Sequence, residues 1–282
     1  MIKAQKYDDL IYDVGMHKGE DADYYLKKGF RVIGFEAIPE LAQYCREKFS
    51  GEISEGRLKI VEGAIVDGRN LIGGKVKFYR NIDNSVWGTF LDEWVRRNEI
   101  MGASSEEILV PAVDFTQSLR EYGIPHYLKI DIEGMDKVCL RALLSFDQRP
   151  DYVSIESEMV KFEDLIDELD IFRNLGYSLF KAVQQEDVFR QREPRRTKEG
   201  NYAGHIFQRG STGLFGGDLP GKWKDYGGII SEYKFIFLLY EYFGHCGKLK
   251  NNFFGRFLIW FFKTVLGRPV PGWYDTHAKY VK

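Results

Sequence analysis

The stretch from Ile11 to Glu20 constrains the fold most, because an apolar run ends in Asp13, Gly15 follows, and Gly19 opens a polar segment. Glycine accepts φ > 0 and lets other groups approach the backbone closely. This order predicts a strand, a tight turn and a helix whose first N–H groups lie at the strand's carboxyl end, where open α/β sheets bind ligands. Glu36 ends the next apolar run about 20 residues after the turn, a spacing at which an acid binds the hydroxyls of a ribose. The first third of the chain therefore predicts a site for an adenosine-type cofactor.

The spacing within the turn indicates which cofactor it fits. The pattern is Asp13-x-Gly15-x-x-x-Gly19, whereas a dinucleotide fingerprint is G-x-G-x-x-G. An acid two residues before the first glycine repels a pyrophosphate and attracts a cation. S-adenosylmethionine carries an ammonium and a sulfonium and no phosphate, so we predict it as the cofactor. The predicted cofactor contacts are Asp13, Gly15, Met16, His17, Gly19, Glu36, Ala37, Ala64, Ile65 and Asp131.

Individual portions of the cofactor are assigned by physical fit. We expect Asp13 and Gly15 at the methionine portion, with Gly15 acting by close backbone approach. Glu36 is expected at the ribose hydroxyls, and Ala64 and Ile65 are expected to flank the adenine. The alternative is that the two glycines of the turn merely end one element and begin the next.

Composition places the chain among ordinary globular proteins. Its 282 residues suffice for a sizeable core, and a net charge of −2 gives no basic footprint for nucleic acid. Cys45, Cys139 and Cys246 lie too far apart in sequence for a disulfide framework or a CxxC metal site. Residues 1–9 lack an apolar signal core, so we expect a cytosolic (cytoplasmic) and reduced protein.

Strand-like and helix-like segments alternate along the first two thirds of the chain. This alternation predicts an α/β fold with a mostly parallel sheet and helices on both faces. The last two strands are expected at Tyr177–Val183 and Tyr202–Gln208. The charged stretch between them, Gln185–Gly200, is expected to be a solvated and mobile loop.

The character of the sequence changes at Gly210, which divides a predicted cofactor-binding domain (1–209) from a C-terminal extension (210–282). Ile229–Phe243 and Phe253–Leu266 are strongly aromatic, but neither reaches 18 uninterrupted apolar residues, so no membrane span is expected. The extension is interpreted as a helical appendage, and the alternatives are a substrate-side cap or a weak membrane-surface contact.

Three stretches together resemble the FkbM family of S-adenosylmethionine-dependent methyltransferases. They are Tyr12–Gly19, Gly34–Ala37 and, most characteristically, Leu128–Gly134, and the resemblance covers about residues 9–208. It implies a Rossmann-like class I methyltransferase fold with a seven-stranded, mostly parallel sheet whose final strand is antiparallel. It also implies O-methylation of a hydroxyl on a sugar, a glycan or a small natural product, without fixing the acceptor.

Three segments outside those stretches also resemble a bacterial subset of the family. They are Trp87–Thr89, Ser211–Gly213 and Trp273–His277. Trp87, Trp273 and Tyr274 are candidates for stacking on a sugar ring, although aromatic residues in this chain more often belong to a core.

Methyl transfer to a hydroxyl requires alignment of the reacting atoms and a base that accepts the hydroxyl proton. Asp131 ends a strand, Glu133 follows two residues later, and Glu156 ends a neighbouring strand, so the three carboxylates are expected to converge. Such a cluster raises one pKa and creates a base, or it holds a divalent cation. Asp131 faces either the methionine end or the acceptor. His205 and His277 are further base candidates.

Two other classes of protein are alternatives to the methyltransferase interpretation. One is an NAD-dependent oxidoreductase or epimerase, against which the missing third glycine argues. The other is a non-catalytic cofactor-binding scaffold whose aromatic extension docks on a partner or a membrane. Acids also favour the first turn of a helix, which is the structural alternative for Glu133. His126 begins a predicted strand and is expected to be structural. The oligomeric state is left open.

Overall fold

The computed structural model describes residues 1–67, 73–81, 105–132, 134–157, 159, 161–243, 249, 253–265 and 272–281. Four features of the sequence lie outside these residues: the candidate Glu133, the segment Trp87–Thr89, the predicted helix of Phe90–Met101 and Cys246.

The elements follow one another along the chain as strand and helix, as predicted. The described strands are β1 (Lys6–Val14), β2 (Arg31–Glu36), β3 (Leu58–Glu62), β4 (Ala64–Ile65), β5 (Lys75–Asn81), β6 (Ser105–Val113), β7 (Ile124–Ile130), β8 (Tyr152–Glu156), β9 (Tyr177–Gln184) and β10 (Tyr274–Tyr280). The described helices are α1 (Glu20–Lys27), α2 (Pro39–Lys48), α3 (Ser50–Ser54), α4 (Phe115–Tyr122), α5 (Asp136–Ala142), α6 (Phe162–Asn174), α7 (Tyr226–Phe243) and α8 (Phe253–Thr264).

Seven strands form one sheet in the order β3-β2-β1-β7-β8-β10-β9. Along this order the five strands β3, β2, β1, β7 and β8 are parallel to one another, whereas β10 is antiparallel to both β8 and β9. Strand order reverses direction between β1 and β7, and ligands bind at such a switch point in open α/β sheets. The predicted fold class, a Rossmann-like α/β fold with a seven-stranded, mostly parallel sheet and a C-terminal helical extension, is confirmed.

Each face of the sheet is buried by a different set of elements. One core cluster joins Tyr12 and Leu128 of the strands to α4, α5, α6 and α7. The other joins Ile11 and Tyr127 to α1, α2 and the segment 188–219. Alternate residues of a strand point to opposite faces, so the apolar runs of β1 and β7 supply both cores.

Local signals set several helix ends where the sequence places them. Pro39 begins α2, as expected of proline in a first turn. The side chain of Asp114 accepts a hydrogen bond from the Gln117 N–H and caps α4. Strands β4, β6 and β5 form a separate three-stranded sheet in that order. The central β6 pairs parallel with β4 and antiparallel with β5.

The prediction of a last strand at Tyr202–Gln208 is wrong. Those residues are irregular, and the antiparallel strand is β10, inserted between β8 and β9. Residues 202–208 alternate like a strand, but Tyr202 and Ile206 are exposed and only Phe207 is buried, against Tyr24. Strand β10 escaped prediction because buried polar side chains interrupt its apolar pattern. The division of the chain at residue 210 stays a prediction, but residues 274–280 belong to the sheet and not to a separate extension.

The prediction of a solvated loop at Gln185–Gly200 is wrong for two of its charged residues, and its mobility stays a prediction. Glu193 and Glu199 are buried, and Glu193 forms an ion pair of 2.7 Å with the buried ammonium of Lys28. Asp218 forms a second pair of 3.2 Å with the same ammonium. Charged residues are usually exposed unless a partner of opposite sign lies nearby, as Lys28 does here, and no local pattern in the sequence indicates that partner.

Both aromatic stretches of the C-terminal part form helices. Helix α7 buries Ile229, Tyr233 and Ile236 against the sheet, and α8 packs on α7 through Leu258 and Ile259. Among the described helices, none combines the length and apolar character needed to cross a bilayer.

Candidate active site

The turn after β1 lies at the carboxyl end of the sheet, between β2 and β7. Gly15 has φ +84° and donates its N–H to the Phe35 carbonyl over 3.1 Å. A Cβ at this position would collide with the main-chain oxygen of Asp131. Gly19 begins α1 with φ +71°, where a side chain would collide with the ring of Phe49. Both glycines are therefore required by the turn itself.

The buried Lys129 contacts the turn from the interior of the protein. Lys129 of β7 lies opposite Asp13 of β1 in the parallel register, and its Nζ is 3.0 Å from Asp13 Oδ1. The same ammonium donates a hydrogen bond of 2.8 Å to the Gly15 carbonyl and lies 3.8 Å from Asp21 Oδ2. Burial by itself lowers the pKa of Lys129, but the carboxylates of Asp13, Asp131 and Asp21 outweigh it and raise that pKa well above its ordinary value.

The structure gives Asp13 a different position from the one expected of a cofactor ligand. Its side chain is fully buried and faces Lys129, so its charge is neutralised inside the protein. Burial raises the pKa of Asp13, and the Lys129 ammonium opposes that shift. Asp13 therefore supports the turn through Lys129 and is shielded from the crevice.

Asp21, in the first turn of α1, connects the turn to a distant segment. Both of its carboxylate oxygens accept the Thr212 N–H, over 3.0 and 3.1 Å. Burial raises the pKa of Asp21. The segment Ser211–Gly213, noted in the sequence, is thus fixed to the helix that follows the glycine turn.

Glu36, at the end of β2, is the acid at the predicted ribose position. Its carboxylate accepts the His17 N–H and the Ile38 N–H, each over 2.8 Å. Burial raises the pKa of Glu36, and the two backbone hydrogen bonds oppose that shift. A carboxylate oxygen accepts more than one hydrogen bond, so Glu36 retains acceptor capacity for hydroxyls.

The remaining predicted cofactor residues surround this turn in different ways. Met16 is buried, and its side chain fills the space beside Gly34. His17 has φ +52°, and its Nδ1 lies 3.2 Å from Glu20 Oε1. Ala37 follows Glu36 and is partly buried. Ala64 and Ile65 form β4 and are buried against β6.

Three carboxylates lie at the edge formed by the carboxyl ends of β7 and β8 and the amino end of the antiparallel β10. Asp131 follows β7, and nearly half of its side chain is exposed (48%). Glu156 ends β8 and is exposed, and Asp275 is its partner in the antiparallel register. Burial raises the pKa of Asp275 well above its ordinary value, and the charges of Asp131 and Glu156 add to that shift. The predicted convergence of Asp131 and Glu156 thus includes a third acid that the sequence did not single out, whereas Glu133 lies outside the described residues.

The two candidate histidines lie away from this edge. His277 is two residues further along β10, opposite Ser154 and Lys181, and is fully buried. Burial lowers its pKa to about 3, with Lys181 adding to the effect. His205 packs on α1, where its ring lies 5.1 Å from the Tyr24 ring and its Nδ1 is 3.6 Å from Asp23 Oδ2. Both stay predictions as bases, and their positions favour structural roles.

His126 lies at the opposite end of β7 between two acids. Its Nδ1 is 2.8 Å from Asp151 Oδ2, and its Nε2 is 2.7 Å from Glu199 Oε2. Burial lowers the pKa of His126, but its hydrogen bonds to Asp151 and Glu199 outweigh this and raise it to about 9. This charged histidine fastens the segment around Glu199 to the sheet, in line with the structural role expected for it.

Two functional features escaped prediction. Lys129 carried a signal, because a lysine within an apolar run of a buried strand needs an acidic partner. Asp275 carried none beyond its place in an aromatic tail, because its strand was not recognised. Within the described residues, no group of three or more histidine, cysteine, aspartate or glutamate side chains is arranged to hold a metal ion.

The edge fits S-adenosylmethionine in its donor set. Glu36 supplies an acceptor at the end of β2, the exposed Asp131 supplies a carboxylate beside Gly15, and the glycine turn lies between them. This sheet order, with one antiparallel strand next to the last position, is the one that class I methyltransferases are expected to have. Fold and site together thus define the class of protein as a methyltransferase of Rossmann-like architecture.

Comparison with protein families identifies the family within that class. A profile of the methyltransferase FkbM domain matches residues 13–179, more than half of the chain. The chain therefore belongs to the FkbM methyltransferase family and uses S-adenosylmethionine. This membership decides against the NAD-dependent alternative.

Solved structures with a similar fold include several methyltransferases. A precorrin-6y C5,15-methyltransferase from Geobacter metallireducens GS-15 is 12% identical, with 64% of this chain and 71% of that chain covered and a TM-score of 0.33. A putative O-methyltransferase from Klebsiella pneumoniae is 13% identical, with 62% and 66% covered and a TM-score of 0.35. An O-methyltransferase from Bacillus cereus in complex with SAH is 12% identical, with 62% and 67% covered and a TM-score of 0.34.

These likenesses are too weak to carry an argument about the acceptor. The comparison with curated proteins gave no significant match. The fold class rests on the strand order of the sheet, and the family rests on the domain match.

Proposed function

We propose that the chain transfers the methyl group of S-adenosylmethionine to a hydroxyl of a sugar, a glycan or a small natural product. The observation that carries this proposal is the cluster of Asp131, Glu156 and Asp275 at the carboxyl edge, in which the pKa of Asp275 is raised. A hydroxyl acceptor has to lose its proton, and a carboxylate whose pKa is raised by burial and by neighbouring carboxylates has a higher affinity for that proton.

The reaction asks little bond chemistry of the protein. S-adenosylmethionine supplies, when bound, a methyl group on a sulfonium that is already a good leaving group. The oxygen of the acceptor forms the new C–O bond as the C–S bond breaks, and the hydroxyl proton goes to a carboxylate of the cluster. Glu156 is exposed and available to orient the acceptor, and the buried Asp275, its partner in the antiparallel register, is the proposed proton acceptor.

The cofactor contacts stay as proposals with one revision. Gly15 and the backbone of Met16, His17 and Gly19 form the turn against which the methionine portion would lie. Glu36 would bind the ribose hydroxyls. Asp131 replaces Asp13 as the carboxylate that would face the ammonium, because Asp13 is fully buried against Lys129, whereas Asp131, 3.7 Å from the same lysine, is nearly half exposed. Ala37, Ala64 and Ile65 stay the proposed adenine neighbours.

The extension supports a role beside the acceptor. Tyr233 of α7 shares hydrogen bonds with Ser157, next to Glu156, over 2.6 Å and with Thr276, next to Asp275, over 2.7 Å. Helix α7 therefore reaches the edge that carries the carboxylates, which favours a substrate-side cap. A cytoplasmic location and the divalent cation stay predictions, and addition of a chelator during turnover tests the cation.

Replacement of Asp275 tests the proposal. With S-adenosylmethionine and a panel of hydroxylated acceptors, we expect Asp275→Asn to lower the turnover number by about 10²–10⁴-fold, the usual contribution of a general base, while S-adenosylhomocysteine still binds. Asp8→Asn, the same change at an exposed position, should leave turnover unaltered. Full activity of the Asp275 variant on a hydroxyl acceptor, or transfer confined to amine or carbon acceptors, would contradict the proposal.

A further inference from the structure

The solvent-facing side of α8 is aromatic. Phe253 is 89% exposed, Phe257 50% and Trp260 55%, although side chains of this size are usually buried. They recur at spacings of four and three residues, so they lie on one face of the helix, and the Phe257 and Trp260 rings are 5.9 Å apart. Gly255, Leu258 and Ile259 lie on the other side of α8, and Leu258 and Ile259 pack against α7.

Helix α7 also exposes apolar side chains. Phe235 and Leu238 are exposed, and in a helix of 3.6 residues per turn they lie beside Leu239, which packs against α8. We call the three α8 side chains, Phe253, Phe257 and Trp260, the aromatic surface. Exposed apolar clusters of this kind mark contacts with a partner or a membrane.

Charge distinguishes among the occupants of this surface. Arg256 is exposed on the same side of α8, between Phe253 and Phe257. In the sequence, residues 242–270 contain five lysines or arginines and no aspartate or glutamate, in a chain whose net charge is −2. An aromatic surface that carries an exposed arginine, within a basic stretch of sequence, is complementary to the headgroups of anionic lipids, into which Trp and Phe insert while Arg reaches phosphate.

The same charge disfavours a second copy of the chain. A twofold interface brings identical surfaces together, so Arg256 of one copy would lie at the same interface as Arg256 of the other. Like charges that face each other across an interface cost affinity. We propose that the aromatic surface docks this protein on the surface of an anionic lipid bilayer, with α8 lying in the plane of the interface.

Cosedimentation of the purified full-length protein with vesicles tests this proposal. One set of vesicles is phosphatidylcholine, and the other contains about 30% phosphatidylserine. We expect the partition coefficient to be at least about tenfold higher on the anionic vesicles and to fall as salt is added, since each cation near such a surface contributes roughly fivefold.

Two variants and one control make the assignment specific. We expect the double variant Phe257→Ser/Trp260→Ser to lose at least about tenfold in binding, and Arg256→Glu to lose about as much. The control Tyr202→Ser/Ile206→Ser removes two exposed apolar side chains from another surface and should bind as the unaltered protein does. Unchanged thermal midpoints and S-adenosylhomocysteine binding in all variants show that folding is retained.

Three results would overturn the proposal. The first is absence of pelleting with either set of vesicles, and the second is equal binding to both. The third is a dimer in light scattering that Phe257→Ser/Trp260→Ser converts to a monomer without any vesicle binding, which would assign the surface to self-association.

Discussion

Lys129 connects the sheet to the cofactor turn through a single ammonium. It lies 3.0 Å from Asp13 and 2.8 Å from the Gly15 carbonyl, and it is almost fully buried. A buried charge is tolerated only where partners surround it, so the lysine and its acids form one unit. The geometry of the Gly15 turn therefore depends on Lys129, which contacts the turn from the interior of the protein.

Replacement of Lys129 by Met should be strongly destabilising. It leaves Asp13 buried without its cation, and removal of one partner from a buried pair costs about 3–5 kcal/mol in the free energy of unfolding. Chemical denaturation measures this loss. Lys59→Met, which removes a cation from an exposed pair with Glu121, should cost less than about 1 kcal/mol. Equal losses for the two variants would contradict the role given to Lys129.

His126 should make stability fall as the pH rises above neutrality. Its pKa is about 9 in the folded chain against 6.5 for a free histidine, so the folded state holds a proton that the unfolded state has released in this window. The contribution is complete below pH 6.5 and is lost as the pH rises through about 9. For one group it amounts to at most about 3 kcal/mol.

The variant His126→Asn isolates this effect in unfolding experiments at several pH values. The variant should be much less stable than the unaltered protein near pH 6, and the difference should shrink steadily toward pH 9. His205→Asn serves as the control, because burial lowers the pKa of His205, so its removal should not produce a loss of stability that shrinks as the pH rises from 6 to 9. A difference that stays constant with pH would refute the assignment.

Among the secondary-structure elements, β10 contributes both to the sheet and to the candidate site. It forms hydrogen-bonded ladders with both β8 and β9, and it brings Asp275 next to Glu156. Without it, β9 would have no neighbour in the described sheet, and the third carboxylate of the edge would be missing. The last strand of the chain thus completes both the sheet and the site.

Removal of residues 272–282 should abolish cooperative unfolding. The shortened chain loses both ladders of β10 and the buried side chains of Thr276 and Ala278, so we expect an expanded or aggregating product. Circular dichroism and a thermal scan test this. Removal of Val281 and Lys282 alone should leave the midpoint within a few degrees. A truncated chain that melts cooperatively at the original temperature would show that β10 is dispensable.

The elements also show which sequence signals were sufficient. The alternation of apolar strands and helices predicted β1, β2, β7 and β8 and the acids at their ends, because an apolar run followed by a polar turn is a local signal. Strand β10 was missed because Thr276, His277 and Asp275 are buried polar residues, and their burial depends on partners from β8 and β9. The burial of Glu193 was missed for the same reason, since its partner Lys28 lies 165 residues away.

For the molecule as a whole, the fold and the family followed from the sequence more readily than the details of the site. The positions of the glycine turn and of Glu36 at the carboxyl end of the sheet were predictable, because they depend on local backbone geometry, and the binding of the cofactor there stays a proposal. The role of Asp13 was not predictable, because only the parallel register of β1 and β7 places Lys129 opposite it. The shape and chemistry of the edge, on which the choice of acceptor would depend, are not encoded by any local pattern.

The central claim is that the carboxyl edge around Gly15, Glu36 and Asp131 binds S-adenosylmethionine. Thermal unfolding with excess S-adenosylhomocysteine, and separately with NADH, tests it most directly. A ligand at about 100 times its dissociation constant adds roughly 2.7 kcal/mol, which raises the midpoint by several degrees. We expect this rise in the midpoint with S-adenosylhomocysteine and no rise with NADH. A rise with NADH alone, or no rise with S-adenosylhomocysteine, would contradict it.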